Sequence, residues 1–194
     1  MNERADDRAT AEEKRWRRRS LGLLVILLPL VAGVVAYDSA QRWWTGRDLI
    51  AREIAAGATA DFGGARWRLH ALRMAPLPAS AGVPENAMGV VADFRVEIHD
   101  ADLPKNWLGC VISLQDEQGR RWTPTQVLRL PRSDARECIA SIYSGAQAGD
   151  TLRIRQAYLV PREAADTLRA TVTLGPQQPY YLRFAQPPQR VQVK

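Results

Sequence analysis

Four residues have the strongest claim to chemistry in this chain: Cys110, Cys138, His70 and His99. The two cysteines lack a second Cys or His at ligand spacing, so they do not suit a closed metal site, which takes four such ligands. An even pair in an oxidising compartment is most simply a disulfide. Closing a loop of this length stabilises by about 3.5 kcal/mol on the chain-entropy account. The alternative is two buried thiols packing as small apolar groups. The run His99-Asp100-Ala101-Asp102 has the look of a cation loop. Two acids and one His are too few for a closed site, and Asp recurs in turns for its backbone hydrogen bonds. No metal and no cofactor are expected.

Catalytic signatures are missing from the sequence. It has no Gly-x-Ser-x-Gly elbow, no His-Glu-x-x-His and no phosphate-binding glycine loop. A triad assembled from distant strands is recognised by geometry rather than order, and here it would need His70 or His99 against a Ser or an acid. The expectation is a non-catalytic protein, with an enzyme of unrecognised type as the alternative. Among the tryptophans, Trp67 and Trp122 read as core or hairpin packing residues. Trp107, in a loop after Pro104, is the candidate exposed aromatic, unless it folds over the end of the domain.

These residues are positioned by a chain built around one apolar stretch, Leu21 to Tyr37, with no charge, amide or acid. With Ser20 and the residues to Ala40 it reaches the roughly 20 residues that cross a bilayer as a helix. It is apolar all round, unlike the striped helix of a soluble domain. Basic residues crowd its N-terminal side, Arg17, Arg18 and Arg19 closest, while few follow it. The positive-inside rule places the N-terminus in the cytoplasm and the rest of the chain outside. Trp43 and Trp44 follow the stretch, where indoles favour the headgroup layer. Arg17, Arg18, Arg19, Trp43 and Trp44 are therefore the expected membrane-interface residues. The rival reading is a signal peptide cleaved after Ala36, which would release a secreted domain.

The expected organisation is a charged cytoplasmic tail over 1–19, a transmembrane helix over 20–40, a juxtamembrane stalk or short helix over 41–60, and one domain over 61–194. Residues 1–13 read as disordered or as a frayed helix. The formal charge of +6 is spread along the chain, with 27 basic residues of which only three are lysine. That skew makes the basicity poor evidence for nucleic acid, and no nucleic-acid partner is expected.

From Asp61 the apolar period becomes two. Trp67, Leu69 and Ala71 alternate with Arg66, Arg68 and His70, and Val90 to Ile98 alternates with Val91 to His99. That is the pattern of half-buried strands. A hairpin is predicted from Cys110 through Asp116–Gly119 to Thr123. Further strands are predicted near Gln126–Leu130, Cys138–Tyr143, Thr151–Val160 and Leu168–Leu174. Tyr180–Phe184 and Arg190–Val193 read as final, edge-like strands. Many short strands with frequent turn signals predict a mainly β protein, an antiparallel β-sandwich behind one N-terminal transmembrane helix.

Residues 62–175 carry a further pattern. A Trp-bearing first strand and a long alternating strand precede the Leu114–Gly119 hairpin and Trp122; Gly149-Asp150 then leads into the strand end Tyr158–Pro161. In this order of segments the chain resembles the immunoglobulin-like extracytoplasmic domains of bacterial lipoproteins and single-pass membrane proteins. The resemblance implies an immunoglobulin-like sandwich outside the cytoplasm and transfers no catalytic residue. Unlike the lipoproteins, the chain has no Cys after its apolar run for lipid attachment. The expected function is a binding or assembly module of the bacterial envelope. It would be anchored in the cytoplasmic membrane and engage another envelope protein through a sheet edge or loops.

Overall fold

The computed structural model describes residues 3–77, 83–128 and 133–191. The chain divides into two units, residues 1–45 and 46–194. The first unit is one helix, α1, over Glu3–Thr45, with Pro29 inside it. Its segment Arg15–Gln41 is 27 residues long and apolar enough to cross a membrane. At 1.5 Å per residue that is roughly 40 Å, against a hydrocarbon core of ~30 Å. None of its apolar side chains is buried by protein. The same length and composition near an N-terminus also suit a signal sequence. Of the two expectations for 1–13, disorder or a helix leading into the apolar segment, the structure has the helix from Glu3 onward, continuous with that segment.

The second unit is a sandwich of two sheets. Its strands are β1 (Ile50–Ile54), β2 (Thr59–Phe62), β3 (Ala65–Pro76), β4 (Ala87–Ile98), β5 (Val111–Gln115), β6 (Arg121–Trp122), β7 (Thr151–Pro161), β8 (Arg169–Thr173), β9 (Tyr180–Phe184) and β10 (Gln189–Arg190). One sheet runs β1-β9-β8-β5-β6; the other runs β10-β3-β4-β7, with β2 also on β3. Pairing is antiparallel except for β1 with β9 and β10 with β3. The unit also has two short α-helical turns, α2 (Leu103–Asn106) and α3 (Cys138–Ser141), and two 3-10 turns, Ala165–Thr167 and Gly175–Gln177.

The period-two pattern decides which faces meet. On β4, Val90, Ala92, Phe94, Val96 and Ile98 are all at most 1% exposed, whereas Arg95 and Glu97 face solvent. Phe94 meets Phe184 of the opposite sheet edge-on at 5.4 Å and Trp67 at 6.1 Å. Such aromatic pairs add stability beyond the area they bury. Tyr158 lies in this core, and its hydroxyl donates to the Ile112 carbonyl at 3.0 Å, from β7 to the facing sheet. Burial pushes the Tyr158 phenol well above its usual range.

Several expectations are corrected here. Residues 50–54 are not stalk or helix but a strand, because tertiary partners outweigh a weak local preference. Glu53 stands in register with Arg183 and pairs with it at 2.5 Å, and the Leu49 and Ile50 amides donate to the Pro179 carbonyl. That strand also covers β9, so Tyr180–Phe184 is not an edge. Cys138–Ser141 is a helical turn rather than a strand, and 126–128 is a bend; residues 129–132 lie outside the described residues. The last strand ends at Arg190, and 192–194 also lie outside them.

The β2–β3 turn is Gly63-Gly64, with φ of +59° and +72°. Two successive positive φ values are the requirement of a type I′ hairpin, which favours glycine. A Cβ on Gly63 would also stand 2.2 Å from Leu174 Cδ1.

Candidate functional site

Cys110 and Cys138, 28 positions apart in sequence, are bonded to each other, with Cα atoms 5.7 Å apart. That separation lies within the usual disulfide range. The bond has a specific mechanical place. Cys110 immediately precedes β5 of one sheet. Cys138 opens α3, in the middle of the long connection from β6 to β7. Two residues earlier, Arg136 bridges to β7 of the other sheet: its amide donates to the Arg153 carbonyl at 2.9 Å, and its carbonyl accepts from the Arg155 amide at 2.9 Å. The segment 136–138 is thus held by the backbone of one sheet and by a covalent bond to the other.

This clasp brings a group of apolar side chains to the surface. Leu108 is 63% exposed, Val111 44%, Ile139 59% and Tyr143 78%. The first two flank Cys110 and the last two follow Cys138. All four lie within five residues of one of the two bonded cysteines, although singly exposed apolar residues are ordinary on a protein surface. The disulfide itself is buried, at 3% and 0% exposure for its two cysteines. Ser141 completes the turn by donating from its hydroxyl to the Glu137 carbonyl at 2.9 Å.

The other sequence candidates are placed as follows. Trp107 is fully buried over the end of the sandwich; its indole N–H donates to the Gly63 carbonyl at 2.9 Å and its ring lies 4.7 Å from Trp67. It is not an exposed binding aromatic. His70 is exposed on β3, and His99 is exposed in the bend just after β4. His99 lies 4.0 Å from Asp61 and 3.8 Å from Glu97, beyond hydrogen-bond reach of either carboxylate. Asp100 accepts from the Asp102 amide and from Asn106, and these bonds hold its carboxyl below its ordinary value. Asp102 caps α2 by accepting from the Lys105 amide. The acids of this loop are therefore engaged in turn and cap bonds. Among the described residues no group of three or more His, Cys, Asp or Glu gathers as metal ligands would.

Arg17, Arg18 and Arg19 are exposed on α1, and Arg17 pairs with Glu13 at 3.1 Å. Trp43 and Trp44 are half exposed near its other end. Along a continuous helix the rise from Arg17 to Trp43 is roughly 40 Å, close to the ~40–45 Å between the outer limits of the two headgroup layers.

Two sites were not anticipated from sequence. Asp48, three residues beyond α1, accepts from Arg121, Thr173 and Gln178. Asp93, on the outer face of β4 yet only 5% exposed, lies between the guanidinium groups of Arg73 and Arg155. The alternation of β4 puts Asp93 on the wet face, but the arginines that cover it come from other strands.

The sequence matches no protein-family model, and no curated protein matches it. Among solved structures the chain is similar to an uncharacterized beta-sandwich protein from Clostridium difficile 630, at 7% identity and a TM-score of 0.41, over 69% of this chain and 93% of that one.

Proposed function

We propose that this protein is a membrane-anchored, non-catalytic binding module of the cell envelope. Its sandwich would stand outside the cytoplasmic membrane and dock an envelope protein through the apolar surface beside the Cys110–Cys138 bond. The observation that carries this reading is that surface: Leu108, Val111, Ile139 and Tyr143, exposed and framed by a disulfide. A disulfide belongs to an oxidising compartment, and the excess of basic residues before the apolar helix favours the same orientation. Arg17 to Arg19 and the pair Trp43-Trp44 are spaced to meet the two headgroup layers.

Strand order supports an immunoglobulin-like reading. In that fold the B and E strands pair in one sheet while C, F and G are neighbours in the other. Here β4 pairs β7, and β5, β8 and β9 are neighbours. The place of the D strand is taken by the connection that carries α3. The disulfide departs from the antibody pattern, since it joins that connection to β5 rather than B to F.

The test uses the full-length chain in its own cells, with a photocrosslinking amino acid at Ile139 or Tyr143 and a control at exposed Glu85. The expected result is a discrete adduct with one envelope protein from the first two positions and none from the control, in a membrane fraction that survives an alkaline wash. Absence of an adduct at both positions would overturn the docking surface. A soluble product lacking the first 36 residues would overturn the anchor.

A further inference from the structure

The outer face of the β3-β4-β7 sheet carries a row of like charges. Arg68 of β3 stands directly opposite Arg95 of β4, and Arg95 directly opposite Arg153 of β7. Residues opposite one another across strands project from the same face, with Cβ atoms about 5 Å apart. Three guanidinium groups therefore leave one sheet face within roughly 10 Å. Directly opposed like charges destabilise a sheet.

Arg153 of this row, and other arginines on this face, have acidic partners that answer the repulsion. Arg66 pairs with Asp61 at 3.1 Å and Glu97 at 3.7 Å, Arg73 and Arg155 share Asp93, and Arg153 pairs with Asp134 at 2.7 Å. Arg68 and Arg95 have no acidic partner among the described residues, and neither does Arg136. Beside the row lies a depression of about 420 Å³, lined by Arg95, Arg136, Arg153, Asp134, Thr151 and Leu152. The acids nearest Arg95 along β4, Asp93 and Glu97, are already engaged by Arg155, Arg73 and Arg66.

We propose that Arg95 and Arg136 form a binding site for a phosphate group in the depression beside β7, with Arg68, directly opposite Arg95, adding positive charge from the neighbouring strand. Three uncompensated guanidinium groups match an anion of more than one charge. Each planar fork offers the paired donors that phosphate oxygens accept. The phosphate is either that of a soluble compound or that of a lipid headgroup, and the two are separable by experiment. This site is independent of the apolar surface beside the disulfide.

The test is made on the full chain in nanodiscs of phosphatidylcholine at low salt, with inorganic pyrophosphate as soluble probe and flotation with phosphatidylglycerol vesicles as lipid probe. Without any anion, Arg95→Gln should melt at the same temperature as the wild type or higher, because it removes an opposed like charge. Pyrophosphate should raise the melting temperature of the wild type, with its affinity reduced about tenfold or more in Arg95→Gln and Arg136→Gln. Arg162→Gln, a charge removed from an exposed position beyond β7, should bind as the wild type does. Binding of pyrophosphate without vesicle recruitment identifies a soluble ligand. Vesicle recruitment that Arg95→Gln abolishes, without pyrophosphate binding, identifies a headgroup. Equal responses of wild type and Arg95→Gln to both probes would overturn the site, as would an equal loss in Arg162→Gln.

Discussion

The Asp48 carboxylate accepts a hydrogen bond from Arg121 at 2.8 Å, joining the residues just after the apolar helix to the hairpin strand β6. It accepts also from the Thr173 hydroxyl at 3.0 Å and the Gln178 amide at 3.3 Å. Asp48 is therefore part of the folded second unit, tied to β6, β8 and the segment before β9. Replacing Asp48 with Ala leaves these donors without their acceptor, at a cost of about 1–3 kcal/mol. The expected result is a lower denaturant midpoint with an unchanged slope. An unaltered midpoint would mean that residues 46–54 are detached from the sandwich in solution.

The double variant Cys110→Ala, Cys138→Ala is expected to lose about 3.5 kcal/mol on the chain-entropy account. Removing the bond also frees the segment that presents Ile139 and Tyr143. Limited proteolysis should then cut first between β6 and β7. Cleavage elsewhere, at the wild-type rate, would show that the Arg136 bridge to β7 holds this connection by itself.

Asp116 controls the acid limb of stability in the β5–β6 hairpin. Burial disfavours its charge, but the bonds it accepts from the Arg120 side chain and amide and from the Gln118 amide prevail, and they hold its carboxyl below the ordinary value. A carboxyl depressed in the folded state contributes stability that is complete above its unfolded value of about 4. That stability is lost as pH falls through the lower folded value. Asp116→Asn should be less stable than the wild type at neutral pH and should show a shallower decline below about pH 4. Parallel pH profiles for the two proteins would rule out this contribution.

Tyr158 offers a spectroscopic test of the core. Its phenol is held well above its usual range by burial, and it donates to the Ile112 carbonyl. In an alkaline ultraviolet titration, Tyr158→Phe should match the wild type until the wild type unfolds. Only then should the missing phenolate appear as a difference in amplitude. Removal of the hydroxyl should also cost about 1–2 kcal/mol by leaving a buried carbonyl short of a donor.

Several features of this protein are determined by sequence because they depend on neighbours along the chain. The apolar segment Leu21–Tyr37 is such a case, since length and the absence of charge suffice for a membrane-length helix. The long strands β3 and β4 and the hairpin through Asp116–Gly119 are others, written in period-two alternation and turn chemistry.

What tertiary structure decided depends on partners far away in the chain. IAREI has no strong strand pattern and becomes β1 only because Glu53 meets Arg183 and the preceding amides find the Pro179 carbonyl. Cys138–Ser141, in a short run read as a strand, instead forms a helical turn whose first residue is bonded to Cys110 and whose preceding segment is bridged to β7. Trp107 follows a loop proline and lies fully buried, because the Gly63 carbonyl and the Trp67 ring close around it. Spacing along β3, β4 and β7 shows each arginine facing solvent. Only the register of three strands sets Arg68, Arg95 and Arg153 in one row, because pairing between strands is settled by the packing of the whole sheet and not by any one of them.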